Sequence, residues 1–91
     1  MRVFVAECVI VDKNETIVKR EFRQVYENWC DRYGERAVGD KALRDALKEI
    51  VPNLDEAREN KNAPWCWLGV SWSHDAAVYM PPSLKTSGTV I

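Results

Sequence analysis

The sequence predicts a small α+β domain. Three observations carry that expectation. Apolar residues recur at three- and four-residue steps from Lys19 to Tyr33. A second such run extends from Asp40 to Ile50. Apolar residues then alternate through "WCWLGVSWS", near the C-terminal end. Two helical periods followed by a strand period define the class.

The first element is ambiguous from its residues. In "RVFVAECVIVDK" the β-branched residues favour a strand. Phe4, Cys8 and Val11, with Val5 and Val9 beside them, also form a helical stripe. The following "DKNET" is a turn by composition. It mimics the start of a calcium loop, but the glycine at the sixth position is missing and Arg23 sits where a bidentate acid is needed. Thr16-Ile17-Val18 reads as a very short strand.

The helix over 19–33 is the clearest element. Phe22, Val25, Tyr26, Trp29, Cys30 and Tyr33 give it one apolar face, and Gly34 is suited to the left-handed cap that stops it. The loop "ERAV" leads to Gly39-Asp40, either of which can cap the next helix. Leu43, Ala46, Leu47 and Ile50 form the buried face of that helix, and Pro52 limits its extent. Residues 53–64 are polar and rich in turn formers, as in a hairpin tip. In the last strand Cys66, Leu68, Val70 and Trp72 are expected on one face, with Trp65, Trp67 and Gly69 on the other. Residues 1–73 are therefore expected to form one domain, and 74–91 a flexible or loosely docked tail. With a helical first element, this order is that of a winged helix–turn–helix, whose β-hairpin folds back beside the second helix as a wing.

Composition narrows the functional classes. Hydrophobic residues make up 46% and charged residues 30% of the 91, as in ordinary globular domains. The net charge of −1 argues against a broadly basic DNA-binding surface, so any phosphate-binding charge has to be local. Three widely spaced cysteines do not form a disulfide framework, and reduced thiols in the cytoplasm are the expectation. Glu7 and Asp12 break the apolar N-terminal run, so neither a secretory signal nor a membrane segment is expected. Cys8, Cys30, Cys66 and His74 have the chemistry for zinc but no short ligand spacing, so no metal site and no cofactor are expected. His74 lies near Ser71, Ser73 and Asp75 with nothing to position a triad, so no enzymatic activity is expected.

The residues do resemble one family. Phe4, Glu7-Cys8, Val18, Tyr26-x-x-Trp29-Cys30, Gly34, Leu43, Leu47, Pro52 and Gly69 are similar to the pattern of the small C-terminal domain of phage and plasmid primase–helicases of the superfamily-three type. The similarity covers residues 3–72. It implies a winged helix, hence a helical first element over 2–12. It also implies a role in replicating a mobile element, with a primase–helicase or other replication protein as partner. It does not bring the ATPase, because no phosphate-binding loop is present.

Within that frame the helix 40–50 is the candidate DNA-reading element. The helical period places Lys41, Arg44 and Lys48 outward, with Asp45 and Glu49 on one flank. Arg44 suits a guanine edge, Asp45 a cytosine amino group, and the lysines suit phosphates of double-stranded DNA. Arg58 and Lys61 are the wing candidates, offset by Glu56 and Glu59. Lys19, Arg20 and Arg23 begin the preceding helix and add possible phosphate contacts. The competing interpretation is a mixed-charge solvated face with local ion pairs. In that case the domain is a protein-interaction module, and its contact face is an exposed tryptophan or the "YMPPSLK" segment.

Overall fold

The computed structural model describes residues 1–81. Its elements are helix α1 (Arg2–Cys8), strand β1 (Val9–Val18), helix α2 (Lys19–Tyr33), helix α3 (Asp40–Ile50), strands β2 (Asp55–Ala57) and β3 (Cys66–Trp72), and a 3-10 helix (His74–Tyr79). The strands form one antiparallel sheet in the order β1-β3-β2. The α+β class is the one expected.

The N-terminal segment resolves its ambiguity by being both elements. Phe4, Val5 and Cys8 share one buried helical face, and the Val9 N–H closes the last turn onto the Val5 carbonyl. Seven residues are too few for a helix to persist alone, so packing overrides the local strand preference. The helix expected over 2–12 stops at Cys8. From Val9 the chain is already strand, pairing Val9, Ile10 and Val11 with Trp72, Ser71 and Val70.

The expected turn at 12–16 is a bulge inside β1. Val11 pairs with Val70 and Thr16 with Leu68, so residues 12–15 together face Gly69 alone. The Asp12 carboxylate accepts the Asn14 N–H at 3.0 Å and folds the bulge. Gly69 has φ +95°, a conformation an L side chain rarely adopts. This bulge overturns the expected alternation in β3. Trp67 and Val70 are both buried, although strict period two puts them on opposite faces. A Cβ at Gly69 meets nothing closer than the Asn53 carbonyl at 3.8 Å. Gly69→Ala is therefore expected to cost about 1–2 kcal/mol through backbone strain alone, read as a lower denaturant midpoint at unchanged slope.

Helices α2 and α3 have the boundaries their sequence signals indicate. Gly34 takes φ 67°, and the Glu35 N–H bonds the Cys30 carbonyl at 2.8 Å, closing the helix end. The loop to α3 is pinned at Val38. Its carbonyl accepts from Arg23 Nη1 at 2.6 Å, and its N–H donates to the Tyr26 hydroxyl at 3.2 Å. Leu43 and Leu47 turn α3 into the core, with Ala46 and Ile50 half-buried.

The core is aromatic. Phe4 makes edge contacts with Phe22, Tyr26, Trp29 and Trp72 at centroid distances of 5.6, 5.3, 5.6 and 6.5 Å. Trp72 in turn stacks on Phe22 at 5.3 Å. The domain boundary expected after Ser73 falls inside this packed unit. Ala76 and Tyr79 are buried, and Asn28 Nδ2 donates to the Tyr79 carbonyl at 2.7 Å. The Tyr79 hydroxyl donates to Glu7 Oε2 at 2.6 Å and lies 3.0 Å from the Tyr33 hydroxyl. That bond to Glu7 is the main reason its phenol is held above the usual range. The rest of the expected tail, 82–91, lies outside the described residues.

Candidate nucleic-acid interface

Helices α2 and α3 bring their first turns together, and both carry cations there. Between them opens a groove of about 700 Å³. Lys19, Arg20 and Arg23 line one side of it, and Lys41 and Arg44 the other, with Asp40 among them. Its floor is Leu43 and Trp67. Five cations thus converge on one concavity of a chain whose net charge is −1.

The cations differ in how firmly they are tied. Lys41 is 91% exposed and has only a long contact to Asp45, at 3.5 Å one helical turn on. Arg44 and Lys48, one turn apart on the next stripe, both reach Glu56 of β2. Arg44 Nε lies 3.2 Å and Lys48 Nζ 2.6 Å from Oε2, while Lys19 pairs with Oε1. Arg23 is fastened to Glu27 at 2.9 Å and Asp40 at 3.3 Å as well as to the Val38 carbonyl. It braces the α2–α3 loop instead of facing out free. Among the described residues the ion pairs do not involve Arg20 or Lys61.

Glu56 is the residue that sequence reasoning misplaced. Read along the chain it is one of two acids offsetting the wing cations. In the fold it is a hub, with a side chain only 16% exposed and three cations around it. Its carboxyl is held down at about 2, first by the hydrogen bond from Lys19, then by that from Lys48, with the Arg44 charge adding to them. A carboxylate lowered in the folded state stabilises the fold above the unfolded value, and the contribution disappears as pH falls through the folded value. Stability contributed by Glu56 is therefore expected to be full above about pH 5 and lost between there and pH 2. Denaturant midpoints measured across that window should fall less steeply in Glu56→Gln than in the wild type.

The hairpin loop supplies the second half of the surface. The Arg58 guanidinium sits 4.9 Å over the Trp65 ring and donates to the Lys61 carbonyl at 3.2 Å. Lys19 Nζ lies 4.2 Å over Trp67 and 5.5 Å from Trp65. Of the two tryptophans expected to share a face, Trp67 is core and Trp65 is 47% exposed. The loop turns on Asn60, whose side chain accepts the Asn62 N–H at 2.9 Å and leaves Lys61 at the tip.

The eight expected site residues are thus distributed in three ways. Lys19, Arg20, Lys41 and Arg44 line the groove, with Asp45 flanking it through Lys41. Lys48 joins them through Glu56. Arg58 and Lys61 stand on the adjacent hairpin. The thiols lie elsewhere: Cys8 and Cys30 are buried, and burial, with Glu7 and Asp75 adding to it, pushes Cys8 up to about 12. Among the described residues no three His, Cys, Asp or Glu side chains are grouped to hold a metal ion, and no helix is long and apolar enough to cross a membrane. Comparison with protein-family models, curated proteins and solved structures finds no match for the chain, so the chemistry of this surface is read from its geometry alone.

Proposed function

We propose that the chain is a winged helix–turn–helix module that binds double-stranded DNA and serves a phage- or plasmid-type primase or other replication protein. The element order helix, strand, helix, helix and hairpin, with the first strand beside the last, supports the winged-helix reading. The observation that carries the DNA reading is the groove. A chain with no net positive charge concentrates Lys19, Arg20, Arg23, Lys41 and Arg44 on one concavity, next to a hairpin bearing Arg58 and Lys61. Phosphate neutralisation by such a cluster is the sequence-independent part of DNA affinity. In this reading α3 enters the major groove, and the loop 58–64 lies on the flanking backbone. On α3 Lys41, 91% exposed, is the cation most free to approach. Arg44 meets DNA only after leaving Glu56.

The test is anisotropy titration of a labelled duplex with the wild type and with the triple variant Arg20→Glu, Lys41→Glu, Lys61→Glu. Loss of affinity together with a flatter salt dependence is expected. Equal binding by both proteins rejects this surface.

One observation favours a second reading. Trp65 is 47% exposed on the hairpin, an aromatic surface that a protein partner buries and a phosphate chain does not. A protein-interaction module predicts no binding to any duplex at about 50 mM salt, where electrostatic binding is strong. The "YMPPSLK" face belonging to that reading loses its first residue, because Tyr79 is buried. Its later residues lie outside those described.

A further inference from the structure

We infer that Lys19, Arg44 and Lys48 form one binding site for a DNA backbone phosphate, and that the Glu56 carboxylate occupies it in the unbound chain as an internal competitor. The inference rests on the DNA-binding reading above and specifies how that surface is regulated.

Two other elements converge on Glu56 of β2, the first strand of the hairpin: α2 through its first residue, Lys19, and α3 through Arg44 and Lys48, one turn apart. A structural pin between the hairpin and α3 is complete with one cation. Here three cations surround one carboxylate, and the excess charge has no protein partner at the hub. The arrangement also has a direction. Glu56 is 16% exposed, whereas Lys19 is 28%, Arg44 55% and Lys48 39% exposed. The carboxylate lies beneath, and the cations keep their outer sides in solvent. A phosphate arriving from solvent meets the same N–H donors that Glu56 uses from below. A shallow cavity of about 430 Å³ opens at this point, lined by Lys19, Arg44, Glu56 and Trp65, with Asp55 the one further acid on its wall.

Carboxylate and phosphate are alike in what they ask of these donors. Each presents anionic oxygens that take charge-assisted bonds from Arg and Lys. They cannot both hold all three cations, so DNA has to displace Glu56 bonds to gain its own. The bound state keeps only part of the attraction that three cations would give without Glu56. The cost is set by one residue of the hairpin, which couples hairpin position to DNA affinity.

Glu56→Gln keeps the shape and removes the charge. Anisotropy titration of a short labelled duplex over a salt series reads the effect. Folding of the variant is checked by circular dichroism. The expected result is tighter binding by roughly tenfold at about 0.1 M salt, with the log–log salt slope steeper by about 0.9 for each cation released. Binding that appears only in Glu56→Gln also supports the inference. If the wild type binds and Glu56→Gln binds no more tightly with the same slope, Glu56 is only a structural pin, and the inference falls while the DNA reading stands. If neither protein binds at about 50 mM salt, both fall together. Should Glu56→Gln not fold, Lys19→Gln with Lys48→Gln takes its place. A slope flattened by about 1.8 is then expected, and an unchanged slope overturns the inference.

Discussion

Phe4→Ala is expected to remove about 3–5 kcal/mol of stability, the range for deleting a buried aromatic ring. Phe4 has no exposed surface and touches four aromatic rings drawn from α2 and β3. Those neighbours cannot close the void easily. Phe22 is already stacked on Trp72, Tyr26 is fixed by the Val38 N–H, and Trp29 lies against Tyr33 at 5.0 Å. Domains of this size have about 5–15 kcal/mol in total, so the variant should sit close to its unfolding midpoint at room temperature. Guanidinium denaturation gives the number. Val3→Ala, on the exposed side of the same helix, is the control and should change stability by no more than about 0.5 kcal/mol. A loss below about 1 kcal/mol for Phe4→Ala would mean that α1 does not pack where its stripe places it.

That stripe shows where the sequence was readable. Helices α2 and α3 carry their own start, stop and apolar period, so Gly34, Gly39 and Leu43 were enough to bound them. The segment 2–18 carries two periods at once. Its β-branched residues and its Phe4-Val5-Cys8 face give opposite answers, and only the sheet partner at Val70–Trp72 decides that the change comes after Cys8. Strand β3 misleads for a related reason. Alternation through Trp67, Leu68 and Val70 assumes an unbroken pleat, and the bulge at residues 12–15, far earlier in the chain, breaks it at Gly69. Tyr79 sits in a 3-10 helix too short to show a period, and its anchor is Glu7 at the other end of the chain.

The site was legible to the same degree and for the same reason. The outward stripe of α3 follows from helical geometry, and so does the pairing of Lys41 with Asp45. The destination of Arg44 and Lys48 does not. Glu56 lies outside the helix, and its third partner, Lys19, is thirty-seven residues away. No local pattern marks it.

This difference in tethering decides which substitutions test DNA binding cleanly. Reversing Lys41, Arg44 and Lys48 together would leave Glu56 facing two new carboxylates, so lost affinity and lost stability would arrive together. Arg20, Lys41 and Lys61 avoid that. Arg20 and Lys61 are exposed and stand outside the ion pairs of the described residues, and Lys41 contributes only its long contact to Asp45. Changing all three to glutamate should leave the unfolding midpoint within the range of surface substitutions, about 0.5 kcal/mol each. Their effect on duplex binding should be large. If each cation neutralises one phosphate, the log–log salt slope flattens by about 2.7, which at about 0.1 M salt is a loss of a few hundredfold in affinity. Charge reversal adds repulsion to that loss. The pattern across sequences matters as much as the size. Phosphate contacts weaken all duplexes about equally, so Arg44→Gln, which removes one donor of the Glu56 site, should also weaken them without regard to sequence. A uniform loss for both variants would place this surface on the DNA backbone, whereas a loss for Arg44→Gln confined to guanine-containing sites would put Arg44 on a base edge and overturn its place in the phosphate site.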